Sequence, residues 1–141
     1  MPQMQALAEV LGIEEPKDRL ALISLARNGL PGKCIDSLAG AMDLPMTELC
    51  RLFRVSSQTL LRRRRQVLLN VRFTGRTLAI GKVVALAIEV FQDMETARCW
   101  LRSPCYLLNA RPLDLLDTNV GSDLVMEAIT AYGQTMHQGN R

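Results

Sequence analysis

Aromatic residues are scarce in this chain, 4% against 48% hydrophobic residues, so aliphatic side chains and alanine must build the core. Clean alternation of apolar and polar residues is almost absent, which argues against a substantial β-sheet. No Cys-x-x-Cys pair occurs among Cys34, Cys50, Cys99 and Cys105, and the single histidine, His137, lies far along the chain. That spacing excludes the usual zinc frameworks and leaves no metal or cofactor to expect. The cysteines read as reduced, buried helix residues of a cytoplasmic protein. No basic region followed by an apolar stretch opens the chain, so no signal peptide is expected. The longest apolar run, Leu78 to Phe91, is interrupted by Lys82 and Glu89 and falls short of the ~20 residues that span a bilayer. Internal repeats and low-complexity tracts are also missing.

What is present favours helices. Leu, Ala, Met and Arg dominate, all strong helix formers. A chain of 141 residues suffices for one domain or two small ones. The net charge of +3 says little, but its distribution says more. Arg51 to Lys82 holds nine Arg or Lys and no acid, whereas the remainder holds eight basic and fourteen acidic residues. Such asymmetry suits a surface that meets a polyanion.

Periodicity and capping residues predict an all-α fold. Met4 to Leu11 reads as a helix stopped by Gly12. Pro16 opens a second, Lys17 to Asn28, with Leu20, Ile23 and Ala26 on its apolar stripe and Gly29 at its end. Ile35 to Met42 follows. Thr47 can cap Glu48 to Phe53, and Ser56 or Ser57 can cap a helix running through Arg62-Arg63-Arg64-Arg65 toward Leu69. Thr74 and Gly75 mark a boundary before a long apolar helix, Thr77 to Phe91. Asp93 caps the next, through Trp100 to Pro104, with Trp100 in the core. Pro112 opens a short turn, and a last helix covers Val120 to Tyr132. The polar segment beyond Gly133 reads as a mobile tail. The chain divides into an N-terminal module, 1–72, and a C-terminal one, 73–141, which can share a core.

Met46 to Gln66 fits a helix-turn-helix, in which a scaffold helix and a tight turn set a second helix into the major groove. Leu49, Cys50 and Phe53 face inward, Val55 plugs the turn and Leu60 anchors the second helix. Ser57, Gln58 and Thr59 then lie at the end that meets base edges. Arg62, Arg63 and Arg65 extend the DNA-binding set, with Arg62 and Arg65 reaching the groove together. Arg54 stands where the turn usually holds glycine and requires a left-handed backbone or a different turn. A homodimer neutralising ~8 phosphates would lose affinity with a log–log salt slope of about −7.

Other constellations carry no catalysis, and the chain does not read as an enzyme. Gly75 to Lys82 resembles a phosphate loop but has five residues between its glycines where four are needed, and Val83 stands where Ser or Thr binds magnesium. Asp114 and Asp117 lack a companion group and read as surface or capping carboxylates.

Ala85-Leu-Ala-Ile-Glu-Val-Phe91, Ala97-Arg-Cys-Trp-Leu-Arg-Ser-Pro104, Asn109-Ala-Arg-Pro-Leu-Asp-Leu-Leu-Asp-Thr118, Gly121 and Tyr132-Gly133 follow in that order. This series resembles the toxin-binding domain of the Xre/MbcA/ParS antitoxins. Gly29-Leu-Pro31 through Thr59-Leu-Leu-Arg-Arg63 resembles the Xre-like helix-turn-helix that precedes it. The resemblance implies an antitoxin of a type II toxin–antitoxin pair, whose partner is a RES-domain toxin that degrades NAD. The C-terminal domain would cover the toxin active site, and the helix-turn-helix would repress the shared operon at operator DNA. Thr118 and Gly121 read as shaping the start of the last helix. Tyr132, Gly133, Met136, His137 and Arg141 are the expected toxin-binding residues, since a tail that orders on a partner can plug a cleft. The alternative is a stand-alone helix-turn-helix regulator with a C-terminal protein-interaction domain.

Overall fold

The chain folds as eight α-helices and one 3-10 turn among the described residues, which in this computed structural model are 2–139, with side chains from 3 to 135. The helices are α1 (Pro2–Leu11), α2 (Arg19–Asn28), α3 (Cys34–Met42), α4 (Met46–Phe53), α5 (Ser57–Arg64), α6 (Val71–Phe91), α7 (Met94–Arg102) and α8 (Asn119–Gly139). The 3-10 turn is Pro112–Leu115. Among the described residues there is no strand, only an isolated bridge between Cys105 and Ala110. The all-α expectation holds.

The long apolar helix α6 is the axis of the fold. It packs against α1, α2, α3, α7 and α8, so most of its circumference is buried, from Phe73 and Leu78 to Ile80, Val84 and Ala87, while Arg72, Gly75, Lys82 and Glu89 keep one narrow stripe exposed. A helix packed on most sides is apolar nearly all round and keeps its charges on the side left open. Gly81 lets α1 approach, since a Cβ there would sit 3.1 Å from Leu11 Cδ2. The buried side chains form one continuous cluster from Leu7 and Leu11 through Ile35, Leu49 and Leu60 to Leu116 and Ile129. At ~2 kcal/mol for each large aliphatic side chain, this shared core is the main stabilising term.

Local chemistry moves several helix limits from their expected places. The Asp18 carboxylate accepts the Ala21 N–H at 2.9 Å, so α2 begins at Arg19 rather than behind Pro16. The expected stripe of α2 is displaced in part: Leu20 is 71% and Ile23 44% exposed, whereas Ala26 faces the core as expected and is joined there by the half-buried Leu22 and Leu25. Pro45 precedes the first residue of α4, and Thr47 caps nothing. Ser56, not Ser57, caps α5.

The largest correction concerns residues 65–75. α5 stops at Arg64 because the chain turns to bond the Gly29–Gly32 loop: Gly32 N–H donates to Gln66 O at 3.0 Å and Leu69 N–H to Leu30 O at 2.7 Å. A Cβ on Gly32 would collide with the carbonyls of Arg63, Arg64 and Gln66, so only glycine fits this crossing. Asn70 then caps α6 by accepting the Phe73 N–H at 2.7 Å. Thr74 and Gly75 therefore lie inside a helix. Thr74 is fully buried, its Oγ1 accepting the Leu30 N–H at 3.1 Å and donating to Leu69 O.

Two further expectations change. α8 continues to Gly139, with Gly133 inside it against Val90 of α6, so the segment after Gly133 is no free tail up to that point. Of the cysteines only Cys34 is buried, and desolvation pushes its thiol up to about 11; Cys50 and Cys105 are half-buried and Cys99 is exposed.

Candidate nucleic-acid interface and partner surface

α4 and α5 form the helix pair that the sequence predicts. Leu49, Leu52 and Phe53 are buried on α4, with Cys50 and Val55 half-buried at the edge of the core. Arg54 adopts the left-handed conformation, φ 57° and ψ 45°, and its N–H caps the last turn of α4. Ser56 Oγ accepts the Thr59 N–H at 3.2 Å and starts α5, while Leu60, 1% exposed, holds α5 to the core.

Helical geometry sorts the candidate residues of α5. Ser57, Gln58, Leu61, Arg62 and Arg65 are exposed and, at spacings of three to four, share one outward face. Four of these are among the predicted DNA-binding residues. Thr59 and Arg63 turn away from it. The Thr59 hydroxyl bonds that of Ser56 at 3.1 Å. The Arg63 guanidinium lies 5.8 Å from the Phe73 ring centroid and reaches Gln66 Oε1 at 3.4 Å, a cation–π and hydrogen-bond pairing. Arg64 closes on Asp36 of α3 as an ion pair, Nε to Oδ1 2.5 Å. The four arginines thus divide into two that face solvent and two that tie α5 to its neighbours. Leu61, 45% exposed, completes the outward face and was not expected there. It lies four residues on from Ser57, one helical turn away on the same face, so its place follows from the sequence.

An open cleft of about 1370 Å³ runs beside α5, between the α4–α5 turn, the start of α6 and the start of α8. Arg54, Arg72 and Lys82 line it. Asp117 and Asp123 line its α8 side, so it is mixed in charge rather than uniformly basic.

Arginines also brace this module against the rest of the chain. Arg76 of α6 donates to Leu52 O on α4, to Leu116 O and to Asn119 Oδ1, the last at 2.6 Å. Burial holds its pKa below the ordinary arginine value, against the pull of Asp117. Arg98 and Arg102 of α7 reach the open end of α3: Arg98 Nε donates to Ala41 O at 2.7 Å and Arg102 Nη2 to Met42 O at 2.8 Å. These carbonyls have no helical partner, and the cations also oppose the negative end of the helix dipole. Arg51 of α4 meets Asp114 at 3.0 Å, and Arg111 holds the same carboxylate at 2.7 Å.

Beyond α6 the structure presents a different surface. Thr118 Oγ1 accepts the Gly121 N–H at 2.9 Å at the start of α8, and a Cβ on Gly121 would collide with Leu115 O, so both residues shape this corner. Tyr132 is 43% exposed and its ring lies 5.2 Å from that of Phe91. Trp100, expected in the core, is half-buried, and its ring centroid lies 5.6 Å from that of Phe91. Met136 and His137 lie on α8 with side chains outside the described set, and Arg141 lies outside the described residues. Among the described residues no group of His, Cys, Asp or Glu could hold a metal ion, and no helix is long and apolar enough to cross a membrane.

Residues 21–71 match the antitoxin Xre-like helix-turn-helix domain, and residues 86–133 match the antitoxin Xre/MbcA/ParS C-terminal toxin-binding domain. The chain belongs to the Xre/MbcA/ParS antitoxin family. A comparison with curated proteins finds no match. In this antitoxin the first match ends at the residue where α6 begins, and the second starts inside α6. The two matched regions are therefore joined by a helix that serves the core of both. The outward face of α5 belongs to the DNA-binding region of the antitoxin, and Phe91, Trp100 and Tyr132 belong to the toxin-binding one.

Proposed function

We propose that this antitoxin neutralises a RES-type, NAD-degrading toxin by covering its active site, and represses its own operon by binding operator DNA as a homodimer in the cytoplasm. Residues 1–72 form the DNA-binding unit and 73–141 the toxin-binding unit in this reading. The observation that carries it is the occurrence, in one chain, of an exposed polar and basic face on α5 and the C-terminal toxin-binding match. The RES identity of the toxin rests on the ordered residue series from Ala85 to Gly133 and its likeness to antitoxins of that class.

Ser57 and Gln58 are placed to meet base edges, and Arg62 and Arg65 to meet guanine or phosphate. Thr59 and Arg63 act from the flank, Thr59 by supporting the start of α5 and Arg63 by fixing its end against α6. On the toxin side, Tyr132, Gly133, Met136 and His137 of α8, with Arg141 following it in the sequence, are the residues that meet the toxin, with Gly133 setting how closely α8 crosses α6.

Co-expression tests this reading. The neighbouring gene product should arrest growth when expressed alone, consume NAD, and co-purify with the antitoxin. A harmless neighbour that does not bind would favour the stand-alone regulator instead. Arg62→Ala with Arg65→Ala should weaken binding to the upstream operator at least about 10-fold and lower the salt slope by about 2 per protomer. Toxin neutralisation should persist. Unchanged gel-shift affinity would refute the groove assignment.

A further inference from the structure

The chain has six aromatic residues, and their placement is uneven. Phe53 and Phe73 stack on each other, 4.6 Å between centroids, and both are buried. The other four, Phe91, Trp100, Tyr106 and Tyr132, all fall within residues 86–133, and none of them is buried. A protein short of aromatics for its core has left these at the surface. Three of them form a row. Phe91, the last residue of α6, stands between Trp100 of α7 and Tyr132 of α8, at 5.6 and 5.2 Å. The inner sides of Phe91 and Trp100 rest on the core, and Tyr132 extends the row outward. Mutual contact fixes these rings before any partner arrives, so little side-chain entropy remains to be lost on binding. Rigid aromatic anchors in such a setting are where interface energy concentrates.

Charge selects the occupant. Residues 86–100 carry Glu89, Asp93 and Glu95. Their one cation, Arg98, is engaged with the α3 carbonyls. This acidic stretch, which flanks Phe91 in sequence, disfavours nucleic acid. It also opposes a second copy, because a two-fold contact would set the same acidic patch against itself. It suits a partner with an apolar pocket and a basic rim. The row also lies wholly inside the span that matches the toxin-binding domain.

We infer that the Tyr132–Phe91–Trp100 row is the anchor on which the toxin docks, carrying more of the affinity than the end of α8. This rests on the reading that the antitoxin binds a toxin. Trp100 is the only tryptophan in the chain, which makes it a built-in reporter. The full-length antitoxin, labelled with 5-fluorotryptophan, is titrated with the purified neighbouring toxin. The fluorine resonance should shift or broaden on binding. By calorimetry, Trp100→Ala and Tyr132→Ala should each weaken toxin binding at least about 30-fold, the scale of an interface hot spot. Tyr106→Ala, outside the row, should change it less than about 3-fold, a rim-like effect.

Operator binding and far-ultraviolet circular dichroism show whether each variant is folded, and Tyr132→Ala, at a more exposed position than Trp100, keeps the test decisive if Trp100→Ala unfolds. Toxin binding by the unaltered antitoxin, with Tyr132→Ala within about 3-fold of it, would overturn the row alone. Conversion of a dimer to a monomer by Tyr132→Ala would assign the row to self-association and overturn it as well. Absence of toxin binding by the unaltered antitoxin would overturn the functional reading and this inference together.

Discussion

Arg54 places a charged, Cβ-bearing residue at φ 57°, where glycine is the usual occupant. The left-handed conformation costs a non-glycine residue about 1 kcal/mol. Arg54→Gly relieves that strain, partly offset by the greater freedom of glycine in the unfolded chain. The net expectation is a gain of roughly 0.5 kcal/mol, about 2 °C in Tm for a chain of this size. Arg54 is exposed at the mouth of the cleft beside α5, so the same variant should bind operator DNA more weakly. Opposite signs in calorimetric Tm and gel-shift affinity would show that the strain is kept for the cation. A fall in both would show that Arg54 is structural. Thr74 illustrates the reverse case, a polar residue whose role is entirely internal. Its hydroxyl accepts from the buried Leu30 N–H at 3.1 Å. Thr74→Val preserves shape and deletes that acceptor, so it should cost about 1–3 kcal/mol in urea unfolding, with Thr74→Ser close to the unaltered chain.

At the level of elements, helices with strong local signals were legible and their limits less so. α7 begins behind Asp93 as expected, because a carboxylate three residues before the Thr96 N–H dominates its surroundings. The Pro112 turn and the α4–α5 pair were legible for similar reasons: proline, serine and the apolar spacing act within a few residues. α5 was read too long because what ends it is distant in sequence. The residues that follow it, Gln66 and Leu69, bond the Gly29–Gly32 loop, and that contact has no local signature. Thr74-Gly75 looked like a boundary for the same reason; composition cannot show that Asn70 caps the helix first. Of the candidate DNA-binding residues, those at the helix surface followed from periodicity. The inward turn of Arg63 and the pairing of Arg64 with Asp36 depended on α3 and α6, which only the fold brings near. Hydrophobicity alone places Trp100 in the core, and it cannot separate a fully buried ring from one half-exposed against the core.

Across the whole molecule, the DNA-binding and toxin-binding regions are held by a shared helix and by arginines that cross between them. The Arg51–Asp114–Arg111 cluster adds a pH-dependent link. Hydrogen bonds, first from Arg111 and then from Arg51, hold Asp114 below the usual carboxylate range. A depressed folded-state pKa means the contribution is present above the unfolded value of ~3.9 and is lost as pH falls through the folded one. The groups are about a third exposed or more, so the contribution is below about 1 kcal/mol, and Asp114→Asn should narrow the stability difference between about pH 6 and about pH 3 by no more than that. Arg98 and Arg102 matter more, since removing both leaves the end of α3 with unpartnered carbonyls.

With these braces in place the chain should unfold as one unit, and two probes can check it. Far-ultraviolet circular dichroism follows every helix, whereas Trp100 fluorescence follows the toxin-binding region alone. For the unaltered antitoxin the two transitions should coincide. In Arg98→Ala with Arg102→Ala, stability should fall by roughly 2 kcal/mol. The α3–α5 region would then be tied to the rest by Arg76, Arg51 and the core at α6, and its loss should precede the fluorescence change. Coincident transitions in the double variant would mean that the common core on α6, not the arginines, makes the antitoxin a single cooperative body.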